Sequence, residues 1–304
     1  MNLPRFPRLL LTLCPLLMLL TANLPADSAP DPTWQAVNWN GERALASSSA
    51  GWKAVVSLQR SRLMYFGPAA AENNLLLAPP TRANRNLLGG HRLWLGPQNT
   101  WAKGWPPPVA WEYSEADTVS SVGAELRLLM PDAGDGWPRL TRTYRWDGDR
   151  LICGAEIAGG TRPAQIVQIV QTPASTGVTA EARAETDFPA GYVELPSTAG
   201  PFAARFVEPP HVHRTDAQVS LQHMPPVVKL GFRPQTLRAD CGSYALQVGR
   251  GEQTGTVVSG PDAGFFTQVY LGGPEAVIEL EQLSPLFAAG RPARFEMVLK
   301  AATR

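Results

Sequence analysis

The sequence is short of net charge, of cysteine and of helical periodicity, and each shortage removes a class of protein. Its 304 residues carry a formal charge of +1 at pH 7, and 17% of them are charged. A chain so balanced has no basic field for nucleic acid or for an anionic membrane surface. Of its three cysteines, Cys14 lies in an N-terminal apolar run, which leaves Cys153 and Cys241. Two cysteines allow one disulfide in an oxidising compartment or two buried thiols, and spacing does not choose between them. There is no C-x-x-C, no G-x-S-x-G nucleophile elbow, no P-loop and no H-E-x-x-H. Beyond the N-terminus no segment sustains a three-four apolar repeat, and no propeller or solenoid period is visible.

What is present is turn chemistry and alternation. Proline (29) and glycine (27) are abundant in a chain that is 44% hydrophobic, a combination that marks many turns between apolar strands. Val122, Ala124, Leu126, Leu128 and Met130 alternate with polar or small residues, which predicts one half-buried strand over 122–130. Asp147-Gly148-Asp149 predicts a hairpin between strands at 141–146 and 151–155. Further strands are expected at 166–171, 227–232, 244–248, 265–271, 276–281 and 294–299, with at most one helical turn around Glu181. About fifteen to eighteen strands without a repeat predict an all-β fold, a large antiparallel sandwich of two sheets.

The first 26 residues read as a secretory signal peptide. Arg5 and Arg8 precede an apolar run over 9–20, small residues follow it, and Leu24-Pro25-Ala26 is the expected cleavage site. That run is too short to span a bilayer comfortably. The expectation is therefore a periplasmic or secreted protein without stable membrane insertion after cleavage, with residues 27–304 as a single domain.

Residues 89–111, GGHRLWLGPQNTWAKGWPPPVAW, hold four of the nine tryptophans, together with His91, Arg92, Gln98 and Lys103. Flat aromatic faces interleaved with hydrogen-bonding groups suit a sugar ring, which has apolar C–H faces and a hydroxyl rim. The alternative is a Trp-rich plug closing one end of a β core. Further on, alternation over 276–281 puts Ala276, Ile278 and Leu280 on one side and Val277, Glu279 and Glu281 on the other. The two carboxylates then stand about 7 Å apart along one strand. Such a pair suits acid/base work if it is buried, while the ordinary reading of the pattern is a solvated outer face. His211 and His213, one residue apart, could chelate a metal with Asp216 or His223. The Pro209-Pro210 before them and the lack of a closely spaced third ligand favour a pair of cleft histidines instead, and no metal site is assigned.

Several stretches of the chain together resemble a known family. Gly89-Gly90-His91-Arg92-Leu93-Trp94 with Pro97-Gln98 and Trp105-Pro106-Pro107 is similar to a motif of the galactose mutarotase-like superfamily, which includes aldose 1-epimerases and hexose-phosphate mutarotases. Upstream, residues 61–67 and Asn73-Asn74-Leu75-Leu76 follow the same pattern. Downstream, Glu279-Leu280-Glu281-Gln282-Leu283-Ser284-Pro285 resembles the segment that holds the general base of the epimerases. The resemblance implies a β-supersandwich and a carbohydrate partner, either a monosaccharide or a glycan. It also implies interconversion of sugar anomers by ring opening, with no cofactor. The base role falls on Glu281. The family's mid-chain acid His has no counterpart near residues 168–175, so that role passes to His91 or to one of His211 and His213. Arg92, Trp94, Gln98, Trp101, Lys103, Glu279, His211 and His213 are the expected sugar contacts. The alternative is a non-catalytic glycan-binding module of the cell envelope.

Overall fold

The computed structural model describes residues 32–79, 88–102, 104–181, 191–195, 212–223, 227–261 and 264–304. The expected signal peptide, Lys103 and His211 lie outside these residues. Within them the strands in chain order are β1 (Gln35–Trp39), β2 (Glu42–Ser49), β3 (Trp52–Ser57), β4 (Arg62–Pro68), β5 (His91–Gly96), β6 (Thr118–Val122) and β7 (Glu125–Leu129). They continue with β8 (Arg139–Asp147), β9 (Arg150–Ala158), β10 (Ala164–Pro173), β11 (Gly177–Ala180), β12 (Tyr192–Leu195), β13 (Val212–Arg214) and β14 (Val219–Leu221). The remainder are β15 (Val227–Phe232), β16 (Thr236–Cys241), β17 (Tyr244–Thr254), β18 (Val257–Ser259), β19 (Thr267–Gly272), β20 (Val277–Phe287) and β21 (Ala293–Thr303). One helical turn, α1 (Val109–Glu112), interrupts them. These twenty-one strands exceed the expected number because β11 to β14 and β18 have only three or four residues each, too few to show alternation.

Three antiparallel sheets result. One has the order β1-β2-β3-β4, and a ten-stranded sheet runs β13-β14-β11-β16-β17-β21-β9-β8-β7-β6. The third, of seven strands, runs β12-β15-β19-β20-β10-β5, with β18 also on β20. The two large sheets share one apolar core, in which Leu93, Ile166, Ile278 and Leu280 of one meet Leu128, Tyr144, Phe295 and Leu299 of the other. Polar groups also cross between them: Gln168 Nε2 donates to the Phe295 carbonyl at 2.9 Å, and Arg142 donates to the carbonyls of His91 and Leu93. Among the described residues no helix is long and apolar enough to cross a membrane. Cys153 and Cys241 are free thiols, the first of them buried.

Two local expectations are corrected. The alternating run over 122–130 is not one strand. Gly123, at φ +58°, turns the chain between β6 and β7, so Val122 pairs back onto Glu125 and is 67% exposed. Alternation continued through the turn by coincidence, and only Leu126, Leu128 and Met130 are core. The acidic strand is also no solvated face. In β20 the side chains of Glu279 and Glu281 are nearly as buried as those of Ile278 and Leu280. The reason is position: β20 lies between β19 and β10 in the interior of its sheet.

Candidate functional site

The Gly-Gly step sets the register of the site. Gly89 and Gly90 both adopt positive φ, and a Cβ on Gly90 would stand 2.0 Å from the Leu63 carbonyl oxygen. Only glycine fits that approach. Gln171 clamps the step: its side-chain oxygen accepts from Gly89 N–H at 2.6 Å, and its own N–H donates to the Gly90 carbonyl at 3.0 Å. The chain then enters β5 in pairing with β10, and strand alternation sends successive side chains to opposite faces.

That alternation separates His91 from Arg92. His91 turns into the core between the large sheets, where it is fully buried beside Tyr144 Oη at 3.3 Å and Gln168 Oε1 at 2.9 Å. Burial first, and Arg142 second, push its pKa down to about 3. It is a neutral core histidine. Arg92 turns to the other face and donates to Glu279 from Nη1 at 3.0 Å and to Glu112 from Nε at 2.8 Å.

The Arg92 face is built on two cross-strand rows. In one, Gln171, Glu279, Tyr270 and Lys229 stand opposite one another on β10, β20, β19 and β15. In the other, Arg92, Ile169, Glu281, Gln268 and Gly231 do the same from β5 to β15. Neighbouring strands are about 4.8 Å apart and the rows about 7 Å. Each cation reaches diagonally over an intervening strand to a carboxylate of β20. Arg92 crosses β10 to Glu279, and Lys229 crosses β19 to Glu281, with Nζ at 2.9 Å. Gln171 Nε2 donates to Glu279 at 2.7 Å. Burial raises the Glu281 pKa; Lys229 opposes this and Glu279 adds to it. For Arg92 burial pulls the other way, but Glu112 and Glu279 more than offset it and its pKa is raised.

Behind Arg92, Glu112 at the end of α1 is buried among three guanidinium groups. Its carboxylate lies 2.8 Å from Arg92, 3.4 Å from Arg62 and 3.7 Å from Arg142. Burial alone would raise its pKa, and the three arginines together lower it. Neither Glu112 nor Lys229, Tyr270 and Gln171 stood out in the sequence. The first is a lone acid in an irregular segment, and the others show their roles only through sheet pairing.

The tryptophans divide between two roles. Trp101 is buried, gives its Nε1–H to the Leu95 carbonyl at 2.8 Å and packs edge-on against Trp94. Trp111 is buried edge-on against Trp137. These are plug contacts, and Trp94 is as buried as Trp101, at 5% against 6% exposure. Trp105 is 42% exposed, edge-on to Trp94, and the Arg92 guanidinium lies 5.5 Å from its ring centre and 4.9 Å from that of Trp94. Of the expected contacts, then, Arg92, Trp94, Glu279 and Glu281 come together. Gln98 begins a 3₁₀ turn, half-buried, and its side chain makes no hydrogen bond to a described residue. His213 is exposed on β13, at the edge of the other large sheet. Among the described residues no group of three or more His, Cys, Asp or Glu is placed to hold a metal ion.

No family model and no curated protein sequence matches the chain. Solved structures do. A mutarotase candidate from Salmonella typhimurium superposes with TM-score 0.55 at 12% identity, over 90% of this chain and 94% of that one. An aldose 1-epimerase candidate from Escherichia coli K12 gives TM-score 0.55 at 14% identity, over 90% and 100%. A galactose mutarotase related enzyme from Lactobacillus acidophilus gives 0.52 at 9%, over 89% and 98%. Likeness at such low identity is a likeness of fold, and the chain has the galactose mutarotase-like β-sandwich fold.

Proposed function

We propose that this protein binds carbohydrate on the Arg92–Glu279–Glu281 face of the seven-stranded sheet. One observation carries the reading: two carboxylates are held by cations on one face of the sheet, with the part-exposed Trp105 ring beside Arg92. Carboxylates and amides accept and donate to sugar hydroxyls, and an indole face covers the apolar C–H face of a pyranose. The names of the structural neighbours agree with this ligand class. The basic, apolar N-terminal pattern supports an exported protein. Saturation-transfer NMR with a panel of aldoses and short glycans tests the proposal, which is abandoned if wild-type protein contacts none of them.

A second reading, interconversion of anomers, is favoured by one property of Glu281. Its raised pKa makes it a better proton acceptor than an ordinary carboxylate once ionised. In this reading Glu281 takes the anomeric hydroxyl proton. Among the described residues His91 does not share that face, so the proton for the ring oxygen must come from another donor. Exchange NMR on fresh aldoses decides. A mutarotase accelerates anomer exchange and Glu281→Gln loses at least about 100-fold of that acceleration. A binding module shows contact without acceleration.

A further inference from the structure

On the Arg92 face each carboxylate is held by a cation: Glu279 Oε1 accepts from Arg92 and Gln171, and Glu281 Oε2 accepts from Lys229. Tyr270 differs from its neighbours. It stands between Glu279 and Lys229 in the same cross-strand row and is half-buried. Its hydroxyl makes no hydrogen bond to a described residue. The ring lies along Gly272, where an added Cβ would come within 3.3 Å of Tyr270 Cε1. Burial, and after it the carboxylates of Glu275, Glu279 and Glu281, push the phenol pKa up to about 12. The group therefore remains an O–H donor throughout the neutral range. A half-buried donor without a partner among the described residues is open to solvent or to a ligand.

We propose that Tyr270 is a ligand-contacting residue of this face, its hydroxyl donating a hydrogen bond to one hydroxyl oxygen of the bound sugar. The assignment rests on the carbohydrate reading above and adds to it the residue that selects one hydroxyl position. A site built to bond a particular hydroxyl discriminates against analogues that lack it.

The test compares full-length wild type with Tyr270→Phe, using D-glucose, D-galactose and the mono-deoxy analogues of whichever binds. Titration calorimetry gives affinity, and thermal unfolding without sugar gives the midpoint. The expected result has three parts: an unchanged midpoint, an affinity for the parent aldose lowered about tenfold, and one deoxy analogue that binds both proteins equally. Equal affinity of the two proteins for the parent sugar overturns the Tyr270 assignment and leaves the carbohydrate reading standing. A lowered affinity that no deoxy analogue equalises also overturns the assignment, because a merely structural effect spares no single hydroxyl. Failure of wild type to bind any aldose overturns the carbohydrate reading, and the assignment falls with it.

Discussion

Among the described residues two networks of arginine and glutamate differ in what surrounds them. One is the Arg62–Arg92–Arg142 group around Glu112, extended by Arg92 to Glu279. Its side chains are almost wholly out of water, with Arg92 at 1% and Glu112 at 0% exposure. The other lies on the ten-stranded sheet, where Arg127, Arg145 and Arg294 alternate with Glu125, Glu156 and Glu296 across β7, β8, β9 and β21. There the arginines are 28–33% exposed. Similar pairs at similar distances thus sit in different dielectric surroundings. In the first, each charge was stripped of water and depends on its partner. In the second, solvent and salt share the work.

The largest effect that sharpens this contrast comes from Arg92→Met. It leaves Glu112 short of one cation and Glu279 with Gln171 as its one hydrogen-bond partner among the described residues. Denaturant unfolding is expected to show a loss of roughly 3–5 kcal/mol, with little change when salt is raised. A loss below about 1 kcal/mol would mean the buried network behaves like a surface one, and the contrast would break.

Next comes pH. His91 shares this interior, and its folded pKa of about 3 lies below the ordinary 6.5. The unfolded chain takes up a proton that the folded chain refuses. His91 therefore contributes stability that is complete above pH 6.5 and drains away as pH falls toward 3. The slope is about 1.4 kcal/mol per pH unit within that window. His91→Gln should remove this slope, measured as unfolding free energy across the window relative to wild type. An unchanged slope would mean His91 is protonated in the fold and does not belong to the dry interior.

The smallest effect is on the outer ladder. Arg294→Gln breaks contacts to Glu125, Glu156 and Glu296. The expected cost is about 1 kcal/mol or less, shrinking further at about 1 M salt. Unfolding curves at two ionic strengths check it, and a salt-independent cost as large as that of Arg92→Met would erase the distinction between the networks.

Much of the sheet framework was legible in the chain. Val227–Phe232 forms the strand read there, and the Asp147-Gly148-Asp149 turn joins β8 to β9 with Asp147 paired to Arg150. Alternation also placed Glu279 and Glu281 on one side of β20. It misled at 122–130, because a two-residue turn leaves the apolar phase intact on either side of it. For the site, the sequence singled out Arg92, Trp94 and both glutamates. It did not single out Tyr270, Lys229 and Gln171, which come from three other strands and show no local signature.

Alternation and turn residues are local properties, and they determined that this chain forms antiparallel strands, and that His91 and Arg92 face opposite ways once β5 is a strand. Which of those two faces meets the other sheet is not a local property. Only pairing of β5 with β10 and of β20 with β19 and β10 decided that His91 is core and that Arg92 reaches Glu279, 187 residues away in the chain. The division of the Trp-rich segment was settled the same way. Its composition was equally that of a plug and of a sugar-facing wall. Packing buried Trp94, Trp101 and Trp111 and left Trp105 part-exposed beside Arg92, because exposure depends on what the rest of the chain brings against each ring.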